Sequence, residues 1–340
     1  MIPAIFGLSG PQLTADERAF FSEADPAGYI LFGRNIVDPQ QLRSLTDDLR
    51  SIHGRDRLLV SIDQEGGRVA RLRPPLWAGY PAGQAFEKLY EIAPASAIEA
   101  ARANATAMGL ELSAMGITVD YHPPLDLRVP GAHDVIGDRA FGSDPMQVAA
   151  LGRAVLEGLA AGGVTGCIKH MPGHGRSDVD THKALPTVTA PAEELEDDLI
   201  PFRTLNHALV GMTGHLVFTA WDAENPATLS ETVIRDVIRG QIGFDGLLLT
   251  DDIDMEALGG SIPERAARAY AAGCDIILNC WAKMDDMQGI CDVLPAMSEA
   301  TAARLDRALA GTRIAPAIAP QAAELLAKRD ALLALTGAAA

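Results

Sequence analysis

The sequence predicts an α/β fold, a (β/α)8 TIM barrel that occupies residues 1–340 as a single domain, and three observations point to it. Short apolar runs alternate along the chain with amphipathic stretches of helical period. Several of these runs are continuously apolar, as expected of strands covered on both faces of a parallel sheet. Polar and ionisable residues collect just after several runs, where barrel active sites form.

The candidate strands, in order, are Pro3 to Leu8, Gly28 to Phe32, Leu58 to Asp63, Ile117 to Tyr121, Thr165 to His170, Leu209 to Thr213, Gly246 to Asp251 and Asp275 to Asn279. Helical patterns lie between them at Pro39 to His53, Pro94 to Met115, Pro145 to Ala161, Pro191 to Asn206, Ser230 to Arg239 and Pro263 to Ala271. Several open on Ser, Asp or Pro, which suit the cap and first-turn positions. Eight such units predict closure into a barrel. The alanine-rich end, including Gln321 to Thr336, reads as a last packing helix followed by a frayed tail. No Gly/Ser-rich linker or solenoid repeat divides the chain. An open doubly wound sheet is the competing architecture, but FGLSG after the first strand and DQEGGR after the third do not supply its GxGxxG turn.

Apolar residues make up 48% of the chain and charged residues 21%, the balance of an ordinary globular protein. With 45 acidic against 28 basic residues, the formal net charge of -17 opposes binding to nucleic acid or anionic lipid. Cys167, Cys274, Cys280 and Cys291 show neither metal-ligand spacing nor a disulfide framework, and they fit a reducing compartment. The amino terminus lacks the pattern of a secretory signal, and no run is long enough to span a bilayer. The expectation is a cytoplasmic monomer that acts on a small substrate, with no cofactor and no metal.

The densest polar cluster is IKHMPGHGRSDVDTHKALP, Ile168 to Pro186. Lys169 and His170 sit at a strand exit, where they can face the barrel mouth. Gly173 and Gly175 allow the following segment to fold back over it. Asp180 and His182, two residues apart, can pair so that the carboxylate fixes the ring tautomer and raises its basicity, which suits proton transfer. The bland reading is a loop tied down by hydrogen bonds, to which His174 is the most open. A zinc site is a further competitor, although HExxH and other compact ligand signatures are missing.

In LLLTDDIDM, Leu247 to Met255, an apolar strand runs straight into Asp251, Asp252 and Asp254. A carboxylate there can attack an anomeric carbon or bind a cation, and capping the next helix is the plain alternative, above all for Asp254. In SIDQEGGRVARL, Ser61 to Leu72, Asp63 can accept sugar hydroxyls while Arg68 or Arg71 donates. Glu65 is a possible acid or base, or the partner of an arginine. DYHPPLDLRVP and IGDRAFG bring Asp120, His122, Asp126 and Arg139 near the fourth strand's exit. Arg139 can reach the pocket, and Asp126 is read as ordering the loop.

IDQEGGRVARL, IGDRAFG, KHMPGHG with the downstream DTH, and LLLTDDIDM together resemble glycoside hydrolase family 3, in particular its bacterial single-domain β-N-acetylhexosaminidases of peptidoglycan recycling. The motifs stand in the family's order from Asp63 to Met255. The family more often has Phe at Met171 and Ser at Thr181 and Thr250.

The resemblance implies Asp251 as nucleophile, His182 as general acid/base and Asp180 as its orienting partner. It implies that Asp63, Arg71, Arg139, Lys169 and His170 hold the terminal N-acetylglucosamine. It further implies a retaining double displacement and a substrate with β-1,4-linked N-acetylglucosamine on 1,6-anhydro-N-acetylmuramic acid. The other readings are a β-glucosidase or related exo-β-glycosidase, a noncatalytic sugar-binding or sensor barrel, and a metal-dependent hydrolase.

Overall fold

The computed structural model describes residues 1–129, 131, 134–177 and 185–337. The first half runs β1 (Ile2–Gly7), α1 (Ala15–Ala24), β2 (Pro26–Leu31), α2 (Pro39–His53), β3 (Leu59–Ile62), α3 (Gly83–Ile92), α4 (Pro94–Ala114), β4 (Val119–Asp120), α5 (Pro145–Gly162) and β5 (Thr165–Met171). The second half adds β6 (Thr187–Val188), α6 (Ala192–Thr204), β7 (Val210–Thr213), β8 (Val217–Phe218), β9 (Asp222–Pro226), a π-helix at Val233–Gln241, β10 (Leu247–Leu249), α7 (Ile262–Ala272) and β11 (Ile277–Asn279). Helices α8 (Met284–Val293), α9 (Glu299–Leu309) and α10 (Gln321–Leu333) complete it.

Eight strands form one parallel sheet in the order β10-β7-β5-β4-β3-β2-β1-β11, and each coincides with one of the expected apolar runs. A parallel bridge between Leu249 and Ile276 closes the seam from β10 to β11. The continuous apolarity has the expected cause, because successive side chains enter different cores. Ile5, Leu59, Cys167, Leu247 and Leu249 pack inside the barrel. Ala4, Phe6, Val60, Ile168 and Leu248 pack outward against the helices.

Local chemistry sets the helix starts. Thr14 and Glu17 form a capping box on α1, Asp38 caps α2 ahead of Pro39, and Asp144 caps α5 ahead of Pro145. Helices α1, α3, α8 and α9 lie in stretches where the apolar pattern alone marked no helix. The Ser230 to Arg239 pattern is helical but wound as a π-helix, with the Ile242 amide donating to the Val237 carbonyl at 2.8 Å. The short strands β6, β8 and β9 form a separate small sheet. Among the described residues no helix is long and apolar enough to cross a membrane.

Candidate active site at the carboxyl ends of the strands

A cavity of about 320 Å³ opens where β3, β5 and β10 end, lined by Asp63, Arg71, Arg139, Lys169, His170 and Asp251, among others. The size is at the small end for a ligand pocket. All of the expected binding residues and the expected nucleophile therefore share one cavity. Asp180 and His182, the expected acid/base pair, lie outside the described residues, as does Asp178.

The cavity wall carries a chain of ion pairs. Asp63 follows β3 and accepts from Arg71 Nη2 at 3.0 Å and from Lys169 Nζ at 3.2 Å. Lys169 Nζ also lies 2.7 Å from Glu65 Oε1. Arg139 completes the chain with a forked pair to Glu65, Nε to Oε2 at 2.8 Å and Nη2 to Oε1 at 2.7 Å. Glu65 is 4% exposed and Lys169 2%, so these charges are removed from water and depend on one another. Burial opposes ionisation of Glu65, but Arg139 and Lys169 overcome it and hold the carboxyl well below its ordinary range. Of the two sequence readings of Glu65, its geometry is that of a counter-ion. Arg71, Lys169 and Arg139 thus share the two carboxylates Asp63 and Glu65.

The turn that presents Arg71 depends on Gly66 and Gly67, at φ 101° and 54°. A Cβ on Gly66 would also stand 2.3 Å from the Pro81 carbonyl oxygen. Arg68 faces elsewhere and donates to the Asp134 and Val135 carbonyls at 2.7 and 2.9 Å, so Arg71 is the arginine of this motif that reaches the cavity.

Asp126, expected to order its own loop beyond the fourth strand, ties down the KHMPGHG segment. Its Oδ1 accepts from the amides of His170 (3.1 Å) and His174 (2.7 Å), and its Oδ2 accepts from His170 Nδ1 at 2.7 Å. Burial raises the Asp126 carboxyl, yet His170 more than offsets this and keeps it low, so the ring must be the donor. That fixes the proton on Nδ1 and leaves Nε2 of His170 available to the cavity. His174 also lines the cavity, and its pKa is depressed to about 4 by burial and by His170. Gly175 lies so close to Leu127 that a Cβ would fall 1.9 Å from its carbonyl oxygen.

The two adjacent aspartates after β10 differ in environment. Burial works against ionisation of Asp251, but His170 and His215 lower its pKa below the ordinary value, and the Asp252 amide donates to its Oδ1 at 2.8 Å. Asp252 is pushed up to about 8 by burial and by Asp254. Asp254 caps no following helix. Its Oδ2 accepts from Asn279 Nδ2 (2.9 Å) and from the amides of Cys280 (2.9 Å) and Trp281 (3.0 Å), while Ser261 caps α7. The carboxylate thus ties the aspartate loop to the end of β11.

Sequence reasoning missed His215, which is buried just beyond β7. Its Nε2 donates to the Asp252 carbonyl at 2.9 Å, so Nδ1 accepts from Thr228 Oγ1 at 2.8 Å. The signal was available, because GMTGHL ends an apolar run on a polar residue as the recognised motifs do. Phe32, Tyr121, Met212, Met255 and Cys280 also line the cavity, but in the sequence they are indistinguishable from core residues. Among the described residues no group of three His, Cys, Asp or Glu side chains is arranged to hold a metal ion.

Residues 6–315 match the family model of the glycosyl hydrolase family 3 N terminal domain. The chain is 36% identical over 283 residues to a Beta-hexosaminidase of Bordetella avium, covering 82% of this chain and 80% of that protein. It is 40% identical over 283 residues to a Beta-hexosaminidase of Alkalilimnicola ehrlichii, with 82% and 80% covered. Among solved structures, NagZ from Neisseria gonorrhoeae in complex with N-trifluoroacetyl-D-glucosamine superposes with a TM-score of 0.87 at 32% identity, over 98% of each chain.

Proposed function

The chain belongs to glycosyl hydrolase family 3, with the β-N-acetylhexosaminidase activity of its relatives, and we propose that it is a retaining exo-enzyme releasing terminal β-1,4-linked N-acetylglucosamine from peptidoglycan fragments. The observation that carries this reading is the convergence of Asp63, Arg71, Arg139, Lys169 and His170 with Asp251 in one small cavity. Fragments such as N-acetylglucosaminyl-1,6-anhydro-N-acetylmuramic acid, with or without peptide, are the proposed substrates.

In this mechanism Asp251 attacks the anomeric carbon while His182 protonates the leaving oxygen, which gives a covalent glycosyl-aspartate. His182, oriented by Asp180, then deprotonates the water that releases the sugar. The depressed pKa of Asp251 supports its role, since a nucleophilic carboxylate must be ionised at neutral pH, whereas Asp252 is held toward its protonated form. Asp63 accepts sugar hydroxyls, and Arg71, Arg139, Lys169 and the Nε2 edge of His170 serve as polar partners around the ring.

We take residues 1–340 as one domain acting as a cytoplasmic monomer. The return of α10 supports the domain reading, because buried Arg329 donates to the Gly79 carbonyl and to Asn104 Oδ1, both at 3.0 Å. Initial rates on p-nitrophenyl β-N-acetylglucosaminide and β-glucoside, with and without EDTA, test the activity. A strong EDTA-insensitive preference for the N-acetyl sugar is expected. Preference for glucose would move the substrate class to β-glucosides, EDTA sensitivity would point to a metal, and no turnover would leave a sugar-binding barrel.

A further inference from the structure

From the strand end beside the pocket, we infer that Trp281 and Lys283 form a ledge for the leaving group, built for a saccharide that carries a carboxylate. This rests on the proposed glycosidase reading and extends it to the part of the substrate beyond the terminal sugar.

Cys280 lines the cavity, and Trp281 is the next residue in the chain. A tryptophan that is 60% exposed is unusual in this chain, whose Trp77 is buried. Its backbone is held firmly, since the Trp281 amide donates to Asp254 Oδ2 at 3.0 Å, and the same carboxylate takes the Cys280 amide at 2.9 Å. Ala282 then takes a left-handed conformation, φ 56°, a position that L side chains rarely adopt. The aspartate clamp ties the Trp281 backbone to the loop that carries Asp251, and the indole is left exposed. An exposed, well-anchored aromatic face beside a sugar pocket suits stacking against the C–H face of a second pyranose ring.

The charges on this sector point to the chemistry of that second ring. Lys283 Nζ lies 5.2 Å from the Trp281 ring centroid. Arg34 sits 4.8 Å over the ring of Phe32, a cavity residue, and donates to the Leu8 carbonyl at 2.7 Å and to the Cys280 carbonyl. Among the described residues Lys283 forms no ion pair with a carboxylate, in a protein of net charge -17, whereas Arg34 already has Asp252, Asp254 and Glu17 acting on its charge. Asp285 and Asp286 follow in the first turn of α8, where the helix dipole partly satisfies them. The unpaired Lys283 beside an aromatic ledge fits an anionic leaving group. An N-acetylmuramic acid unit always brings one, either its lactyl carboxylate or the carboxylates of its peptide.

The test compares wild type, Trp281→Ala and Lys283→Gln on two disaccharides, N,N'-diacetylchitobiose and N-acetylglucosaminyl-1,6-anhydro-N-acetylmuramic acid. The competitive inhibition constant of free N-acetylglucosamine reports the inner pocket alone. Trp281→Ala should lower kcat/KM on both disaccharides by roughly ten-fold while leaving that constant within about two-fold of wild type. Lys283→Gln should lower kcat/KM only on the carboxylate-bearing disaccharide and remove part of its salt dependence. Equal losses in disaccharide turnover and in N-acetylglucosamine binding would overturn the ledge, as would unchanged disaccharide turnover by Trp281→Ala. If wild type is active on both but Lys283→Gln does not discriminate between them, the anionic assignment is overturned. A wild-type protein inert toward every β-N-acetylglucosaminide would overturn the glycosidase reading itself.

Discussion

Glu65 touches no substrate in the proposed mechanism, yet it joins two cations that do. Replacing it with glutamine keeps the size of the side chain and removes its charge. Lys169 would keep Asp63 at 3.2 Å, but Arg139 would lose both charge-assisted bonds and retain, among the described groups, the Val135 carbonyl at 3.3 Å. Removing one partner from a buried ion pair costs ~3–5 kcal/mol, because the other charge stays buried and uncompensated. For 340 residues, an unfolding entropy of ~2.1 cal/mol/K per residue is about 0.7 kcal/mol/K, so the expected loss in Tm is about 4–7 °C.

The pH dependence has a definite sign. The Glu65 carboxyl is held well below its ordinary value of 4.5, so its contribution is present above that pH and fades as pH falls through the folded value. The stability gap between wild type and Glu65→Gln should therefore be full at neutral pH and narrow only in acid. Scanning calorimetry across pH measures the gap, and kcat/KM on the aryl N-acetylglucosaminide should fall by about 10²-fold as Arg139 and Lys169 lose their aim. A variant that melts with wild type at neutral pH and keeps full activity would show that the network neither stabilises the barrel nor positions its cations.

Asp252→Asn should behave in the opposite sense, because a carboxyl raised from 3.8 to about 8 in the folded state costs stability progressively as pH climbs between those values. The variant should gain on wild type by a few kcal/mol at most between about pH 4 and 8, read by denaturant titration, and a gap independent of pH would contradict the assignment. His182→Ala should lose about 10²–10⁴-fold in kcat/KM on a glycoside with a poor leaving group and much less on one that releases nitrophenolate. Equal losses would remove His182 as the acid. A slow 2-fluoro sugar should leave its label on Asp251, and a peptide mass placing it on Asp252 would reverse the proposed roles.

The barrel was legible in the sequence because its strands are covered on both faces, so all eight appear as plain apolar runs. Helix α8 escaped notice because its apolar face is short, with Met287 and Ile290 its buried residues. The polar site residues were legible for a related reason: Asp63, Lys169, His170 and Asp251 break or end apolar runs, and inside such runs an ionisable group is conspicuous. The partners were less so. That Glu65 joins Arg139 to Lys169 is a long-range fact, with Glu65 and Arg139 74 positions apart in the chain, and no local pattern encodes it. Phe32 and Cys280 shape the cavity with side chains that a core would use equally well.

The electrostatics of the cavity also bear on why an imidazole is the proposed proton donor. Asp63, Asp251 and Asp252 already line it, and burial together with Asp254 and Asp251 holds Asp252 toward its protonated form. A further carboxylic acid on the loop would add like charge whenever it ionised, and would raise the pKa of the nucleophile that has to stay ionised. A neutral histidine adds none, and its protonated form reinforces the influence that His170 and His215 already exert on Asp251. On this argument His182→Glu should be a poor substitute even if its carboxyl reaches the leaving oxygen. Its kcat/KM profile should move to higher pH on both limbs, because each carboxyl would delay the ionisation of the other. A His182→Glu enzyme with wild-type rates and an unshifted acid limb would mean that Asp251 is insulated from the loop, and that charge is not the reason for the histidine.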